Sequence, residues 1–205
     1  MQTFHKFVEE IAWKGAVVNM HFEKRIFELV DMLHRFSQPL RDAGIPHELV
    51  GGLAVYLYVE EVDPKAGALT RDVDVMVRRE DLERIIEAAA SSGFRYRHAA
   101  GLDMLMYGDS VRAADAVHLL FAGERAKPTQ TTLNPDLNPV HKVIEGLNVY
   151  VVPVADLLTM KLGANRDKDR VHVRGLDATG LITPEMADAL PAELRARLDN
   201  IRATE

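Results

Sequence analysis

The stretch "TRDVDVMV", residues 70–77, constrains the fold more than any other part of the chain. It is short, rich in β-branched residues and nearly continuous in apolar character, which reads as a strand. Side chains alternate faces along a strand. Asp72 and Asp74 therefore share one face, and Val73, Val75 and Val77 take the other and point into a core. Two carboxylates one strand period apart repel each other, and holding them in an apolar setting is costly unless their charge is compensated. Two readings follow. The strand is either an edge whose acids face solvent, or a floor on which the acids gather a divalent cation. Mg²⁺ and Mn²⁺ suit such an oxygen-rich pair and leave coordination positions open for phosphate oxygens. Two ions held close together clamp the attacking and leaving oxygens of an in-line displacement.

Twenty residues upstream, "HELV" reads as a short strand that ends at Gly51-Gly52. "LAVYLYVEEV" follows as a helix, although its β-branched and aromatic content resembles a strand. Glycines at a helix start leave amides free where the helix dipole favours an anion, and the missing side chains let a phosphate approach. A Gly-Gly pair alone is as well read as a turn or a packing device. Joined to the downstream aspartate strand, it gives one element for a phosphate tail and another for its metal.

The remaining pattern predicts a mixed α+β fold, a sheet flanked by helices. A long amphipathic helix over residues 20–43 carries Phe22, Ile26, Phe27, Val30, Leu33, Phe36 and Leu40, and "AGIP" breaks it. A loop follows at 63–67 and a helix at 79–92. Strands are expected at "FRYRHAA", "LDMLMYG", "DAVHLLFAG" and "LNVYVVP". Residues 124–142, with three prolines, read as a long surface excursion. "VADLLTMKLGANRDKDRVHVRGL" reads as one or two helices. Thr183-Pro184 and Pro191 mark two more helix starts, each with proline at its first position. The expected organisation is an N-terminal helical extension (1–46), a central domain (47–182) and a C-terminal helical tail (183–205), forming one compact unit.

With 205 residues and 47% hydrophobic content, the chain can bury a sizeable core. A net charge of −6 argues against a surface that coats nucleic acid, while a local basic pocket remains open. The absence of cysteine removes disulfides, thiolate metal sites and cysteine nucleophiles. The charged N-terminus lacks the apolar core of a signal peptide, and no stretch is long enough to span a bilayer, so a cytoplasmic protein is expected.

The segments "ELVGGLAVYLY", "LTRDVDVMV" and "MKLGANRDKDRVHVRGL", in that order, resemble the DNA polymerase β-type nucleotidyltransferase superfamily. The similarity is to its small bacterial branch of minimal nucleotidyltransferases and AbiEii-like toxins, and covers roughly residues 47–182. It implies a palm-like mixed β-sheet flanked by helices, and transfer of a nucleoside monophosphate from an NTP to an acceptor hydroxyl. Asp72 and Asp74 would then be catalytic and hold Mg²⁺ or Mn²⁺. Gly51 and Gly52 would cradle the β- and γ-phosphates, Thr70 would help position a phosphate, and Lys161, Arg166 and Lys168 would face nucleotide or acceptor. The acceptor stays open among an RNA end such as tRNA, a protein side chain and a small hydroxylated molecule. The basic segment 161–174 carries five Lys and Arg against two Asp. If helical, it puts Lys161, Lys168 and Gly175 on one side and lets Arg166 pair with Asp169; a solvated helix face is the competing reading.

Two departures stand out. Relatives carry a third carboxylate on a neighbouring strand, and "AVHLLFAG" offers His118 there instead. Likewise His172 stands where many relatives have aspartate. A neutral imidazole can ligate a metal or act as a base, but supplies no negative charge. Asp115 has the wrong parity for that strand face, and Asp103 is a further donor ranked below His118. A catalytically impaired, antitoxin-like nucleotide-binding module is therefore the alternative function. A structural domain that dimerises through the long helix is a third.

Overall fold

The computed structural model describes residues 4–64, 70–109, 115–127, 130, 132–144 and 147–204. Side chains are described from Met20 onward, except those of 144 and 147. Most of the loop read at 63–67 lies outside the described residues. Among these residues the chain forms seven helices and a seven-stranded sheet. Helix α1 runs Phe4–Asp42, followed by β1 (Glu48–Val50), α2 (Gly51–Val62) and β2 (Val73–Val77). A 3-10 turn at Arg79–Asp81 opens into α3 (Leu82–Ala90). Then come β3 (Phe94–Ala99), β4 (Leu102–Tyr107), β5 (Ala116–Phe121), β6 (Val140–Ile144) and β7 (Leu147–Val151). Helices α4 (Val154–Ala164), α5 (Asp167–Ala178), α6 (Pro184–Asp188) and α7 (Ala192–Ala203) complete the chain. No described helix is long and apolar enough to cross a membrane.

The strand order is β3-β4-β5-β2-β1-β7-β6. Pairing is parallel between β2 and β5 and between β1 and β7, and antiparallel elsewhere. The mixed α+β architecture read from the sequence is thus the one observed. Alternation decides the two faces. Val73, Val75 and Val77 share one with Val117, Leu119 and Phe121, all of them buried. Helix α1 covers that side: Phe36 meets Phe94 edge to face at 5.7 Å, and Arg35 donates to the Tyr107 hydroxyl at 3.3 Å. Asp74, His118 and Met104 fall in register on the opposite face. The main hydrophobic cluster runs from Ile26 in α1 to Ile201 in α7, and a small second one joins Met104, Met106 and Ala116.

Helix α2 is buried almost continuously from Gly52 to Val59. An all-round apolar helix packs on every side, which explains why its sequence imitates a strand. Three expectations need correction. The first helix is helical from Phe4, well before residue 20. Pro191 is the cap of α7 rather than its first residue. Val140, His141 and Lys142 form part of β6, paired in a hairpin with β7, and do not belong to an excursion. An edge strand has one partner and one wet side, so its polar residues give little alternation to read.

Candidate active site

The site is built where β1 hands over to α2. Val50 is paired with Asp74, so the next residue, Gly51, turns directly over that aspartate. Gly51 has φ +74°, a conformation open to glycine at little cost. A Cβ built there would lie 2.8 Å from both Cβ and Cγ of Asp74, closer than real Cβ contacts come. A Cβ on Gly52 would meet Thr70 Oγ1 at 2.6 Å and His172 Cε1 at 3.3 Å. Both glycines are required by close approach, and both approaches are to candidate site residues. The α2 N-terminus has no side-chain cap and no acidic residue in its first turn, leaving its amides to an outside anion.

Asp72 lies one residue before β2 and Asp74 inside it, both half-buried. His118 pairs with Asp74 across the β2–β5 ladder, with Nδ1 3.4 Å from Asp74 Oδ1. Asp115 and Asp103 do not join them. Asp115 points to the α1 side, 3.8 Å from Arg25 Nη1. Asp103 lies opposite Leu119, on the far face from Asp74. There it accepts from the Tyr96 hydroxyl at 2.6 Å, contacts His98 Nδ1 at 2.7 Å and meets Arg79 at 3.2 Å. Burial works against its charge, but these hydrogen bonds win and hold its carboxyl below the usual range. Parity places both acids off the site.

The basic segment folds as two helices rather than one. Asn165, at φ +45°, ends α4 in the left-handed region, and α5 begins two residues later. Lys161 and Lys168 therefore belong to different helices, the two-helix option of the sequence reading, and the heptad relation that one continuous helix would give does not arise. The two helices meet at Asp169, which is fully buried. It accepts from Arg166 Nε at 2.6 Å, Arg166 Nη2 at 3.1 Å, the Arg166 amide at 3.2 Å and Lys161 Nζ at 3.4 Å. Burial alone would raise the Asp169 carboxyl; the Arg166 hydrogen bonds and the two cations hold it below the ordinary range. Lys161 is only 5% exposed, and burial lowers its pKa despite the Asp169 charge. Asp74 adds to the charge that favours the cationic form of Lys161, and Asp74 and Asp72 both do so for Arg166. Lys168 is exposed on the first turn of α5 and near enough to His172 to disfavour its protonation. The glycine corner, the aspartates, His118, Thr70, Lys161 and Arg166 are thus brought together, with Lys168 at the margin.

Asp169 as the anchor of both cations, and His172 against Gly52, are the residues that sequence reasoning undervalued. Each was visible only as a helix-pairing option or a departure from relatives. Segment 132–139 packs against β5, α4 and β1. Asn134 is buried and donates to Phe121 O at 2.9 Å; Thr132 lies over Gly163 of α4, where an added Cβ would meet its Cβ at 3.2 Å; and the Asn138 amide donates to Glu48 at 3.1 Å.

Among the described residues, no three His, Asp or Glu side chains converge closely enough to cage a metal. Two carboxylates beside a phosphate-accepting corner nevertheless fit Mg²⁺, which is commonly held by one or two carboxylates plus substrate phosphates and water. The donor set fits an ion that arrives with a nucleotide rather than a resident one.

No protein-family model matches the chain, and no curated protein matches it. Solved structures do. The chain is similar to an antigenic nucleotidyltransferase-like protein from Paracoccidioides brasiliensis, with TM-score 0.58, 18% identity and coverage of 87% of this chain and 88% of that one. It is similar to the antibiotic-resistance factor ANT(2'')-Ia, with TM-score 0.53, 12% identity and coverage of 85% and 93%. It is also similar to the Megavirus polyadenylate synthase, with TM-score 0.51 and 13% identity, covering 88% of this chain but 39% of that one. At such identities the likeness establishes the fold. The chain has the nucleotidyltransferase fold.

Proposed function

We propose that the protein is a nucleotidyltransferase of the small bacterial, AbiEii-like branch, transferring a nucleoside monophosphate from an NTP to an acceptor hydroxyl. The observation that carries this reading is the turn of Gly51 directly over Asp74, with Lys161 and Arg166 on the same site. A helix start that favours an anion, a carboxylate pair and two cations gathered at one corner support binding of a triphosphate. In the reaction the acceptor oxygen bonds to the α-phosphorus, the bond from that phosphorus to the bridging oxygen breaks, and pyrophosphate leaves with the electron pair. Asp72 and Asp74 would hold Mg²⁺ or Mn²⁺, which when bound neutralises charge on the phosphates. Gly51 and Gly52 present amides to the β- and γ-phosphates. Thr70 packs against Gly52 and keeps that corner in shape. Lys161 and Arg166, fixed by Asp169, face the nucleotide without further reorganisation. His118, whose Nδ1 lies 3.4 Å from Asp74 Oδ1, would take the acceptor's proton. The acceptor belongs to the hydroxyl-bearing class, whether RNA end, protein side chain or small molecule.

One observation favours a second reading. With no third carboxylate beside Asp74 among the described residues, the site would bind nucleotide and regulate a partner without turnover. Incubation with labelled NTPs and Mg²⁺ or Mn²⁺, followed by pyrophosphate detection and transfer of label to candidate acceptors, separates the two. Release that disappears in Asp74→Asn supports the enzyme. NTP binding without release, unchanged in Asp74→Asn, overturns it.

A further inference from the structure

Among the described residues, five buried polar side-chain atoms have no hydrogen-bond partner, and one of them belongs to the candidate site: Nδ1 of His172. The imidazole is 7% exposed, held on α5. Its Cε1 is the ring atom nearest to where a Gly52 Cβ would stand, at 3.3 Å, and Nδ1 is bonded to that carbon. The unpartnered nitrogen is therefore one bond from the ring atom that meets the α2 start, a helix start with no side-chain cap. An unmade hydrogen bond on a buried polar atom is costly, and a ligand that completes it recovers that cost. The groups around the ring say which kind of ligand fits. Lys161, Lys168 and Arg166 all disfavour a proton charge on His172, and Asp169 alone favours it. Burial and these cations lower its pKa to about 4, so the ring is neutral at pH 7, with one N–H to donate.

We propose that His172 is a phosphate-binding residue, donating Nδ1–H to an oxygen of the triphosphate held at the Gly51-Gly52 corner. This rests on the nucleotidyltransferase reading and adds a contact to it. The group enriches the corner in donors without adding a carboxylate that would repel the phosphate. It also fixes the tautomer: the proton is on Nδ1 when nucleotide is bound.

The test is equilibrium binding of ATP, tripolyphosphate and adenosine in the presence of Mg²⁺, by calorimetry. Compared with wild type, His172→Leu should weaken ATP and tripolyphosphate by about tenfold or more and leave adenosine unchanged, because the lost bond is to a charged acceptor. His172→Asn, which keeps an N–H donor, should recover part of the loss. If wild type binds ATP and a folded His172→Leu binds it equally well, the His172 assignment falls while the proposed function stands. If wild type binds no nucleotide, both fall. A second measurement does not depend on the variant folding. In ¹⁵N-histidine spectra of wild type, tripolyphosphate should shift a protonated Nδ1 of one histidine, and an unperturbed set of ring nitrogens overturns the assignment.

Discussion

Replacing Gly51 with alanine adds two costs at one residue. The first is conformational: at φ +74° an L side chain costs about 1–2 kcal/mol, partly offset by about 0.4–1 kcal/mol of lowered unfolded-chain entropy. The second is steric, because the new methyl would lie 2.8 Å from Asp74 Cβ and Cγ. Overpacking of that kind costs roughly 1–3 kcal/mol. Gly44 supplies the control. It has φ +63° and nothing within 4 Å of an added Cβ, so Gly44→Ala carries the conformational cost alone. Urea or thermal unfolding should therefore put Gly44→Ala at roughly 1 kcal/mol below wild type, and Gly51→Ala at roughly 2–4 kcal/mol below. In melting temperature the second corresponds to about 5–15 °C for a chain of this size. Relief by rotating Asp74 away would reduce the stability loss but remove the acid from the corner, so Mg²⁺-ATP binding should weaken in Gly51→Ala and not in Gly44→Ala. Equal destabilisation of the two variants, with equal binding, would refute the close approach of Gly51 to Asp74.

Three further outcomes are expected. Asp169→Asn leaves Lys161 and Arg166 without their shared carboxylate and should cost about 3–5 kcal/mol in unfolding free energy. Because the folded Asp169 carboxyl is held low, its contribution is present above the unfolded pKa and is lost as pH falls through the folded one; the acid limb of the wild-type stability curve should be shallower in this variant. Glu48 runs the other way: burial, the leading cause, pushes it up to about 7 against the Asn138 amide. Its contribution is full below the unfolded glutamate pKa and declines as pH rises to about 7, so Glu48→Gln should flatten a loss on the order of 3 kcal/mol between pH 4 and 7 in urea titrations. His118→Asp puts a carboxylate beside Asp74 and should lower the melting temperature in chelator and restore it with Mg²⁺ or Mn²⁺; a metal-independent melt would show that residue 118 does not share a cation site with Asp74.

Much of this was legible in the chain because it follows from local rules. Strand alternation at 72–77 gives the face of the aspartates, and the glycine pair at the end of a short strand gives the helix start. Parity alone separates His118 from Asp115. Long-range pairing is where local reading stops. That Val50 is opposite Asp74, so that Gly51 meets its carboxylate, is a matter of β1–β2 register, which no spacing in the sequence encodes. The burial of Asp169 and His172 depends on α4, α5 and the α2 start converging, and a charged helix segment looks the same whether solvated or enclosed. Glu48 gave no signal at all: a lone acid in "HELV" is indistinguishable from a solvent-facing one until the Asn138 segment covers it. Asn165 could have been read as a helix stop, because asparagine tolerates positive φ.

The most direct measurement is a crystal soaked with a non-hydrolysable NTP and Mn²⁺, with the metal located by its anomalous signal. The account predicts one manganese peak bridging Asp72 and Asp74 to phosphate oxygens lodged on the Gly51 and Gly52 amides. A triphosphate bound elsewhere, or manganese remote from both aspartates, would contradict it.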